Sequence, residues 1–550
     1  MIVNGRIQSY PFFRIGMMLV GGILVADALR SVVASVEWQW LFVGILFLSL
    51  VAWFGLKAHP IVQTTLLLAL LFTGGAWRMS CYEEELECDF TGEQEDYEAV
   101  VVAPPLEKER SFKCVLFITD GRMRGKKVNA YFQKSVDRAV GSSETPSLGL
   151  AVGDGIKVSS VFDNAEDGGA YNAGRFKYGR QLLVRGIAAR TFVADGSWSR
   201  AVVNLGGMSS FGRLALHLQA LRDRMLVRLR ASGIAPDAYA TIAAVTLGDK
   251  SALTAELRES YSRAGASHVL ALSGLHIGII YGFLSMIFLR RRISIVGTAL
   301  ILVAIWLFAM MVGMGASVVR SVVMVTVYTL IMMLNSEKAS FNGLLVAAVL
   351  ILLWSPAALW DVGFQMSFVA VAGILACNSR VLRSHSYRVM LAKGGIWRAV
   401  SLVVVSVAAQ IAVLPLVMYY FGRVPLLFII ANFVAIPLTT IIIYMTFLLL
   451  LTSPVVILAN SLSVCWQHVA SGLGWLTQAQ NSALSWVASL PCASVDGVHV
   501  NILQLLLYYL FLVMLYWLSF YVENMYMSAH GFRLVERRYR DVRFERLKGG

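Results

Sequence analysis

The stretch Ser294–Gly313 reads SIVGTALILVAIWLFAMMVG and contains no charged side chain. An α-helix rises about 1.5 Å per residue, so about twenty apolar residues cross the hydrocarbon core of a bilayer. The sequence therefore predicts a transmembrane helix here, and eleven further apolar runs predict eleven more. The predicted spans are 11–30, 38–57, 61–77, 266–289, 294–313, 316–335, 341–356, 361–377, 399–419, 425–451, 453–475 and 499–522.

The composition agrees with a protein embedded in lipid. Of its 550 residues, 57% are hydrophobic and 15% are charged, and the mean hydropathy is +0.68. A soluble domain usually carries about a quarter charged residues, so the composition excludes that class. The run Pro11–Leu29 is interpreted as a retained span, because no signal-peptide cleavage pattern accompanies it.

The net charge of +14 is concentrated in a few segments. Arginine and lysine dominate the tail at 523–550, and the block Arg380–Arg398 carries five of them without an acid. Cytoplasmic loops show such an excess. The pattern predicts a cytoplasmic (inner) membrane protein with both termini in the cytoplasm and residues 78–205 on the opposite side. A nucleic-acid contact is the alternative interpretation of these clusters.

Residues 78–205 have a different pattern, with short β-rich runs separated in places by Asp-Gly turns. Five short strands in about 110 residues suit a small barrel, and the OB type is favoured. The predicted strands are Tyr97–Ala103, Phe112–Thr119, Lys127–Phe132, Ile156–Phe162 and Leu182–Val193. The fold class is therefore a polytopic α-helical membrane protein with about twelve transmembrane helices and an inserted extracytoplasmic OB-like barrel.

The predicted domains follow from these patterns. They are N-terminal transmembrane helices (1–77), the OB-like domain (78–205), an amphipathic helix (206–235), a transmembrane domain (236–522) and a basic cytoplasmic tail (523–550). The amphipathic helix interleaves leucines with arginines, so it either lies on the membrane surface or packs on the barrel.

Three cysteines, Cys81, Cys88 and Cys114, fall in the region predicted to be extracytoplasmic. An oxidising compartment permits a disulfide. We predict one bridge, Cys88 to Cys114, with Cys81 as the competing partner. No Cys/His spacing indicates a zinc site, so no metal or cofactor is predicted.

Polar residues next to and inside the predicted spans are functional candidates, because burying them in lipid is costly. The segment Thr246–Lys250 contributes Asp249 and Lys250. Farther on, Ser273 and His276 are three residues apart on one helical face, and Gly274 and Gly278 are spaced to let another backbone approach. An interhelical hydrogen bond is the favoured interpretation of Ser273 and His276, and a membrane-embedded hydrolase is the alternative.

Arg320 is a second candidate, near the outer end of its span. It either pairs with Asp361 or lies in a pore, where it would contact the phosphates of an anionic polymer. Gln365 follows Asp361 by one turn. Gln410 with Pro415, and Asn432 with Pro437, suggest kinked helices around a polar cavity, with helix–helix packing as the alternative. The long run Leu426–Leu451 is predicted to be broken or re-entrant.

Several stretches resemble the ComEC competence-protein family, the DNA-internalisation channels of transformable bacteria. They occur in family order, and the core Leu270-Ala-Leu-Ser-Gly-Leu-His-Ile277 is the most specific. The matching stretches are Asn172–Tyr178, Arg185–Ile187, Leu247–Lys250, His268–Gly278, Ser317–Met324, Ser355-Pro356, Asp361–Ser367, Ala409–Pro415 and Ala431–Pro437.

The resemblance implies an OB-like domain joined to a membrane channel that imports single-stranded DNA. Many members carry a metallo-β-lactamase-like domain, but this sequence has no clustered His/Asp run, so no nuclease activity is expected. It has no phosphate-binding loop for ATP either. The expected partners are single-stranded DNA, membrane lipid, a separate DNA receptor and a cytoplasmic ATP-driven motor.

Basic and aromatic residues of the OB-like domain could follow a phosphate backbone while bases stack on the rings. These candidates are Lys126, Lys127, Tyr131, Phe132, Arg175, Phe176, Lys177 and Tyr178. Two other functions remain open on the sequence alone. One is a transporter of another polyanion or a lipid-linked substrate, and the other is the Ser273/His276 hydrolase.

Overall fold

The computed structural model of the chain describes residues 11–30, 32–55, 59–108, 110–134, 148–164, 178–288, 295–333, 339–381, 395–458, 463–519, 521, 522 and 525. Two compact units are present: Met1–Gln410 with Pro425–Ser494, and Ile411–Val424 with Val495–Gly550. The first unit holds the barrel, most of the helices and nearly all of the candidate residues.

The chain begins with three apolar helices, α1 (Pro11–Leu29), α2 (Ser35–Leu50, continued by a π-helical turn at Val51–Gly55) and α3 (Pro60–Leu86). Glycines let α1 and α3 touch through their backbones. A Cβ added at Gly22 would lie 1.9 Å from the carbonyl oxygen of Phe72, and one at Gly75 would lie 2.5 Å from that of Leu19. Close approach at small residues is how helices associate in lipid, where a hydrophobic driving force between them is missing.

The barrel is inserted after α3. Its strands are β1 (Gln94–Glu107), β2 (Ser111–Asp120), β3 (Lys127–Gln133), β4 (Gly155–Asn164) and β5 (Ile187–Val193), and helix α4 (Tyr178–Val184) precedes β5. The strand order is β1-β2-β3-β5-β4, and β4 pairs back to β1. A short strand, β6 (Trp198–Arg200), adds to β4.

The predicted small barrel is therefore confirmed as a closed five-stranded barrel. Its fifth strand is shorter than predicted, because residues 182–184 finish α4 instead. Inside, the Tyr97 hydroxyl and Ser160 Oγ are 2.9 Å apart, and Ser160 Oγ is 2.7 Å from Thr191 Oγ1. Burial raises the pKa of Tyr97 to about 12. The three hydrogen-bonded hydroxyl groups therefore remain uncharged in the barrel core.

Helix α5 (Ser210–Arg230) is the amphipathic helix expected at 206–235. Its Leu216 packs with Val100 and Val152 of the barrel domain, so the packing alternative is observed. Nearer its end, Leu226 and Leu229 join clusters formed with residues 242–247 and later helices. The exposed edge of the helix carries Phe211, Leu214 and Leu221, and contact of this edge with lipid stays a prediction.

The remaining elements of the first unit are helical. Two short helices, α6 (Pro236–Ile242, continued by a π-helical turn at Ala243–Leu247) and α7 (Ala255–Arg263), come first. The apolar helices that follow are α8 (Gly274–Phe288), α9 (Ile295–Met311), α10 (Ala316–Met333), α11 (Ala339–Trp354), α12 (Val362–Val381), α13 (Gly395–Phe421), α14 (Phe428–Leu458) and α15 (Ser463–Ser489). A 3₁₀ turn at Pro356–Trp360 joins α11 to α12.

Among the described residues, seven helices are long and apolar enough to cross a membrane, and four shorter apolar helices accompany them. The predicted count of about twelve is not confirmed. Two predicted spans are wrong in their bounds. Residues 264–273 are not helical, so the predicted span 266–289 begins only at Gly274, and the predicted span 453–475 is divided between α14 and α15.

The expected break in Leu426–Leu451 is also wrong. Helix α14 runs from Phe428 to Leu458 without interruption, although Pro437 lies within it. The irregular backbone lies instead at 264–273, where Ala264, Ala266 and Val269 are fully buried. Non-helical backbone at membrane depth is tolerated only where protein or water satisfies its polar groups.

The second unit contains the end of α13 and the apolar helix α16 (Ile502–Ser519). The Tyr509 hydroxyl donates to the carbonyl oxygen of Ala412 (3.0 Å), and Arg423 Nε lies 2.5 Å from Asp496 Oδ1. Two short strands, β7 (Arg423–Pro425) and β8 (Ser494–Asp496), pair as a two-stranded sheet.

Candidate functional site

The outer face of strands β2, β3 and β5 carries an aromatic and cationic row. Lys113 is paired in register with Tyr131, and Tyr131 with Phe192. The Phe192 side chain is 60% exposed, and the Lys113 ammonium lies 5.9 Å from the Tyr131 ring centroid. We call these three residues the aromatic row. Lys113 and Phe192 were missed because only the strand register brings them beside Tyr131.

The alternation of β3 separates the predicted DNA-binding residues. Tyr131 lies on the outer face, but Phe132 is fully buried in the barrel core, so the expectation that Phe132 stacks on a base is wrong. Successive residues of a strand point to opposite faces, and both rings could not face outward. Lys127 is exposed on the Tyr131 side, where partial desolvation lowers its pKa.

The other predicted DNA-binding residues either form hydrogen bonds within the protein or lie outside the residues that the structure describes. Lys126 donates to the carbonyl oxygen of Glu87 and to Cys88 Sγ, which ties the segment before the barrel to its surface. Arg175, Phe176 and Lys177 lie outside the described residues, and only the backbone of Tyr178 is described.

The predicted disulfide is not formed in this structure. Cys81, Cys88 and Cys114 are free thiols. Cys114 is buried in β2, and Cys88 packs against the same core cluster. Burial raises the pKa of the Cys114 thiol to about 12, and a protonated thiol is a poor partner for disulfide exchange.

Ser273 and His276 form a cap on α8. The amide N–H of Ser273 lies 3.2 Å from Nδ1 of His276, and Ser273 Oγ lies 3.0 Å from the same nitrogen. Because a backbone N–H can only donate, Nδ1 is an acceptor and the imidazole proton is on Nε2. This arrangement gives a hydrogen-bond partner to a backbone N–H at the start of the helix, where intrahelical partners are missing. The predicted interhelical hydrogen bond is therefore wrong, since both residues belong to one helix start.

The glycine face of α8 is open. A Cβ added at Gly278 would meet no atom within 4 Å, and one at Gly274 would lie 3.4 Å from Ser321 Oγ. The expected close approach of another backbone at Gly274 and Gly278 is therefore wrong. One turn further on, a Cβ at Gly282 would lie 3.9 Å from the Tyr444 hydroxyl oxygen. The open face is thus flanked by α10 and α14.

Arg320 is paired with Asp361, as one of the two interpretations predicted. Its Nη1 lies 2.5 Å from Asp361 Oδ2, and the residue is only 6% exposed. The carboxylate also accepts from the amides of Gly363 (3.3 Å) and Phe364 (3.1 Å), so it caps α12. A Cβ at Gly363 would lie 2.7 Å from Arg320 Nη2. Glycine therefore leaves room for the guanidinium to lie against the helix start.

The remaining polar candidates differ in their local contacts. Gln365 Nε2 donates to the carbonyl oxygen of Leu359 (3.0 Å). Asn432 is buried with its Oδ1 unpaired among the described residues, and Gln410 is half-buried. Both carboxylate oxygens of Asp249 accept from Ser251, while Lys250 is exposed.

A buried polar network joins the short helices to α15. The Tyr261 hydroxyl donates to Asn481 Oδ1 (2.8 Å) and accepts from Gln480 Nε2 (3.2 Å). Thr241 Oγ1 donates to Asn481 Oδ1 (3.1 Å), and Thr439 Oγ1 donates to Gln480 Oε1 (3.3 Å). The network fixes α7, which leads directly into residues 264–273. Sequence spacing gave no signal for it, because its members come from four separate helices.

These features define a multi-pass helical membrane protein into which a small β-barrel is inserted. The sequence model of the family described as Competence protein matches residues 245–520, half of the chain. The chain belongs to this ComEC competence family.

A curated relative, ComE operon protein 3 of Bacillus subtilis (strain 168), is 28% identical over 244 residues. The match covers 44% of this chain and 30% of the length of that protein. No solved structure matches the chain. Membership of the family suggests a role in competence DNA uptake.

Proposed function

We propose that the chain is an inner-membrane channel that imports single-stranded DNA, with the strand received on the barrel. The observation that carries this proposal is the aromatic row of Lys113, Tyr131 and Phe192 on adjacent strands. In a single strand the bases are free to stack on side-chain rings while the phosphates meet cations. The two neighbouring rings can stack with bases, and the adjacent lysine can contact a phosphate.

The membrane helices supply the second half of the proposal. In the transmembrane domain, the open face of α8 at Gly274 and Gly278 is our candidate for part of the passage. It lies between Ser321 of α10 and Tyr444 of α14. Glycine offers no side chain that would narrow such a path. Arg320 is bound to Asp361 and nearly unexposed, so we assign it to holding α10 against α12 and not to contact with phosphates.

Movement of the strand would need partners. We propose a separate DNA receptor and a cytoplasmic ATP-driven motor, because a channel only permits transport and the sequence has no phosphate-binding loop for ATP. Ser273 and His276 are used in a helix cap, so no observation favours the hydrolase, and none favours a transporter of another polyanion.

Binding of a fluorescent oligothymidylate to the purified full-length chain tests the role of the barrel. Base stacking on a ring contributes about 1–3 kcal/mol, so Tyr131→Ala and Phe192→Ala should each weaken affinity about 5-fold to 150-fold. Phe211→Ala removes an exposed ring from α5 and is the matched control. Fluorescence anisotropy gives the dissociation constants.

The same variants, expressed in a transformable strain that lacks its own copy of the gene, test the import role. Uptake of labelled DNA should fall with the barrel variants and stay unchanged with Phe211→Ala. Full uptake after loss of strand binding would contradict the role of the aromatic row. Full uptake in a strain without any copy of the gene would contradict the import function itself.

A further inference from the structure

Three cations from separate elements lie close enough for their charges to interact: Arg185 after α4, Lys250 after α6 and Arg258 of α7. Arg185 ends the turn after α4. Its amide donates to the carbonyl oxygen of Leu182 (3.0 Å), and Gly186 follows with a φ of +66°. The Tyr82 hydroxyl of α3 donates to the carbonyl oxygen of Leu183 (2.7 Å). This turn is therefore anchored to the membrane helices as well as to the barrel.

The second cation, Lys250, follows a rigid turn. Gly248 has a φ of +73°, and a Cβ there would lie 2.7 Å from Leu272 of the irregular segment 264–273. The amide of Asp249 donates to the carbonyl oxygen of Ala243 (3.1 Å). Its carboxylate is occupied by Ser251. Lys250 is therefore exposed on this turn, while the carboxylate of the adjacent Asp249 is bound by Ser251 of the same turn.

The third cation, Arg258, comes from α7. Its Nη2 donates to the carbonyl oxygen of Lys250 (2.8 Å), and the helix is held in place by the buried Tyr261. We call Arg185, Lys250 and Arg258 the cationic cluster. All three side chains are exposed, and none forms an ion pair with another residue that the structure describes.

The electrostatics of Lys250 agree with this arrangement. Partial desolvation, followed by the positive charges of Arg258 and Arg185, lowers the pKa of Lys250. Like charges held this close repel each other. Fixed backbone contacts hold the cluster together despite this cost, which an anion would relieve.

We propose that the cationic cluster binds the phosphodiester backbone of the incoming strand as it leaves the barrel for the membrane domain. The proposal rests on the function proposed above. Phosphate oxygens suit the cluster because two guanidinium groups and an ammonium offer many donors without an acceptor. Beyond it, Ser267 and His268 are exposed in the segment 264–273, which leads to the open face of α8. The contacts are with phosphates, so the cluster does not discriminate between bases.

Chemical labelling of lysines on the purified full-length chain tests the site directly. The probes are an oligothymidylate of about twelve nucleotides and inorganic tripolyphosphate, which has no bases. Saturating oligothymidylate should reduce labelling of Lys250 by about fivefold or more, with Lys157, an exposed barrel lysine, as the internal reference. The double variant Arg185→Gln/Arg258→Gln should lose this protection.

The salt dependence of oligothymidylate binding gives a second measurement. Each phosphate contact contributes about 0.7 to the slope of log affinity against log salt for a single strand, so the double variant should lose about 1.4 from that slope. Arg263→Gln, an exposed arginine at the end of α7, should leave the slope unchanged. Tyr131→Ala should weaken binding without changing the slope.

The outcomes separate the site from the import function. Protection of Lys250 by both probes, together with the loss of slope, supports the proposal. Protection by tripolyphosphate alone would leave an anion site but overturn its assignment to DNA. Protection by neither probe would overturn the proposal even if labelled-DNA uptake depends on the chain. Normal protection in a chain that proves dispensable for uptake would contradict the import function and leave phosphate binding intact.

Discussion

Replacing Asp361 by Asn tests whether the contact with Arg320 is a stabilising buried ion pair. The Arg320 side chain is 7% exposed and that of Asp361 is 16% exposed, with 2.5 Å between Nη1 and Oδ2. Asparagine keeps the size of the side chain and one oxygen, which can accept from the amide of Phe364 as Oδ2 of Asp361 does. The substitution therefore removes the charge and leaves the cap of α12 in place.

The expected loss follows from the burial of the pair. Removing one partner of a buried pair typically costs about 3–5 kcal/mol, because the other charge is left uncompensated. Asp361 retains some exposure, so we expect the lower end, about 3 kcal/mol. Asp361→Ala removes the cap as well and should lower the free energy of unfolding by about 1 kcal/mol more.

The assay is unfolding of the purified chain in mixed micelles by increasing amounts of a denaturing detergent, followed by tryptophan fluorescence. In the Asp361→Asn background, Arg320→Met removes the uncompensated charge and should restore part of the lost stability. A free energy of unfolding for Asp361→Asn within about 0.5 kcal/mol of the parent would refute this reasoning. So would a double variant that is no more stable than the single one.

Two further predictions concern packing and thiol chemistry. Gly22→Ala places a Cβ 1.9 Å from the carbonyl oxygen of Phe72 and should lower the free energy of unfolding by about 2 kcal/mol. Gly44→Ala, whose Cβ meets nothing within 4 Å, should have almost no effect in the same unfolding assay. Because burial raises the pKa of Cys114 to about 12, Cys114 should be alkylated far more slowly at pH 8 than the exposed Cys492. Mass spectrometry at timed intervals measures both thiols, and equal rates would contradict the burial of Cys114.

The sequence predicted the elements whose patterns are strong and local. Long apolar runs marked most of the membrane helices, and alternation marked the strands that close the barrel. The row formed by Tyr131 and Phe192 could not be predicted, because it depends on the parallel register between β3 and β5. Phe132 was placed on the wrong face for a different reason, because alternation within one strand puts Tyr131 and Phe132 on opposite faces.

Irregular membrane backbone was predicted in the wrong place for a physical reason. Pro437 suggested a break in α14, but a proline removes only one hydrogen bond and neighbouring groups can compensate. The segment 264–273 has an apolar sequence that suggests a helix, and yet Ser273 starts α8 as its capped end. The cap was visible as the Ser273/His276 spacing, but the same spacing also fits the middle of a helix.

The parallel pairing of β5 with β3 has a consequence for biogenesis. The barrel cannot close before residue 193 has left the ribosome, when three membrane helices have already been made. Until then the earlier strands present open edges, which are prone to wrong pairing with other chains. Distant contacts of this kind also slow folding. We therefore expect the half-built domain to depend on shielding from other chains during synthesis.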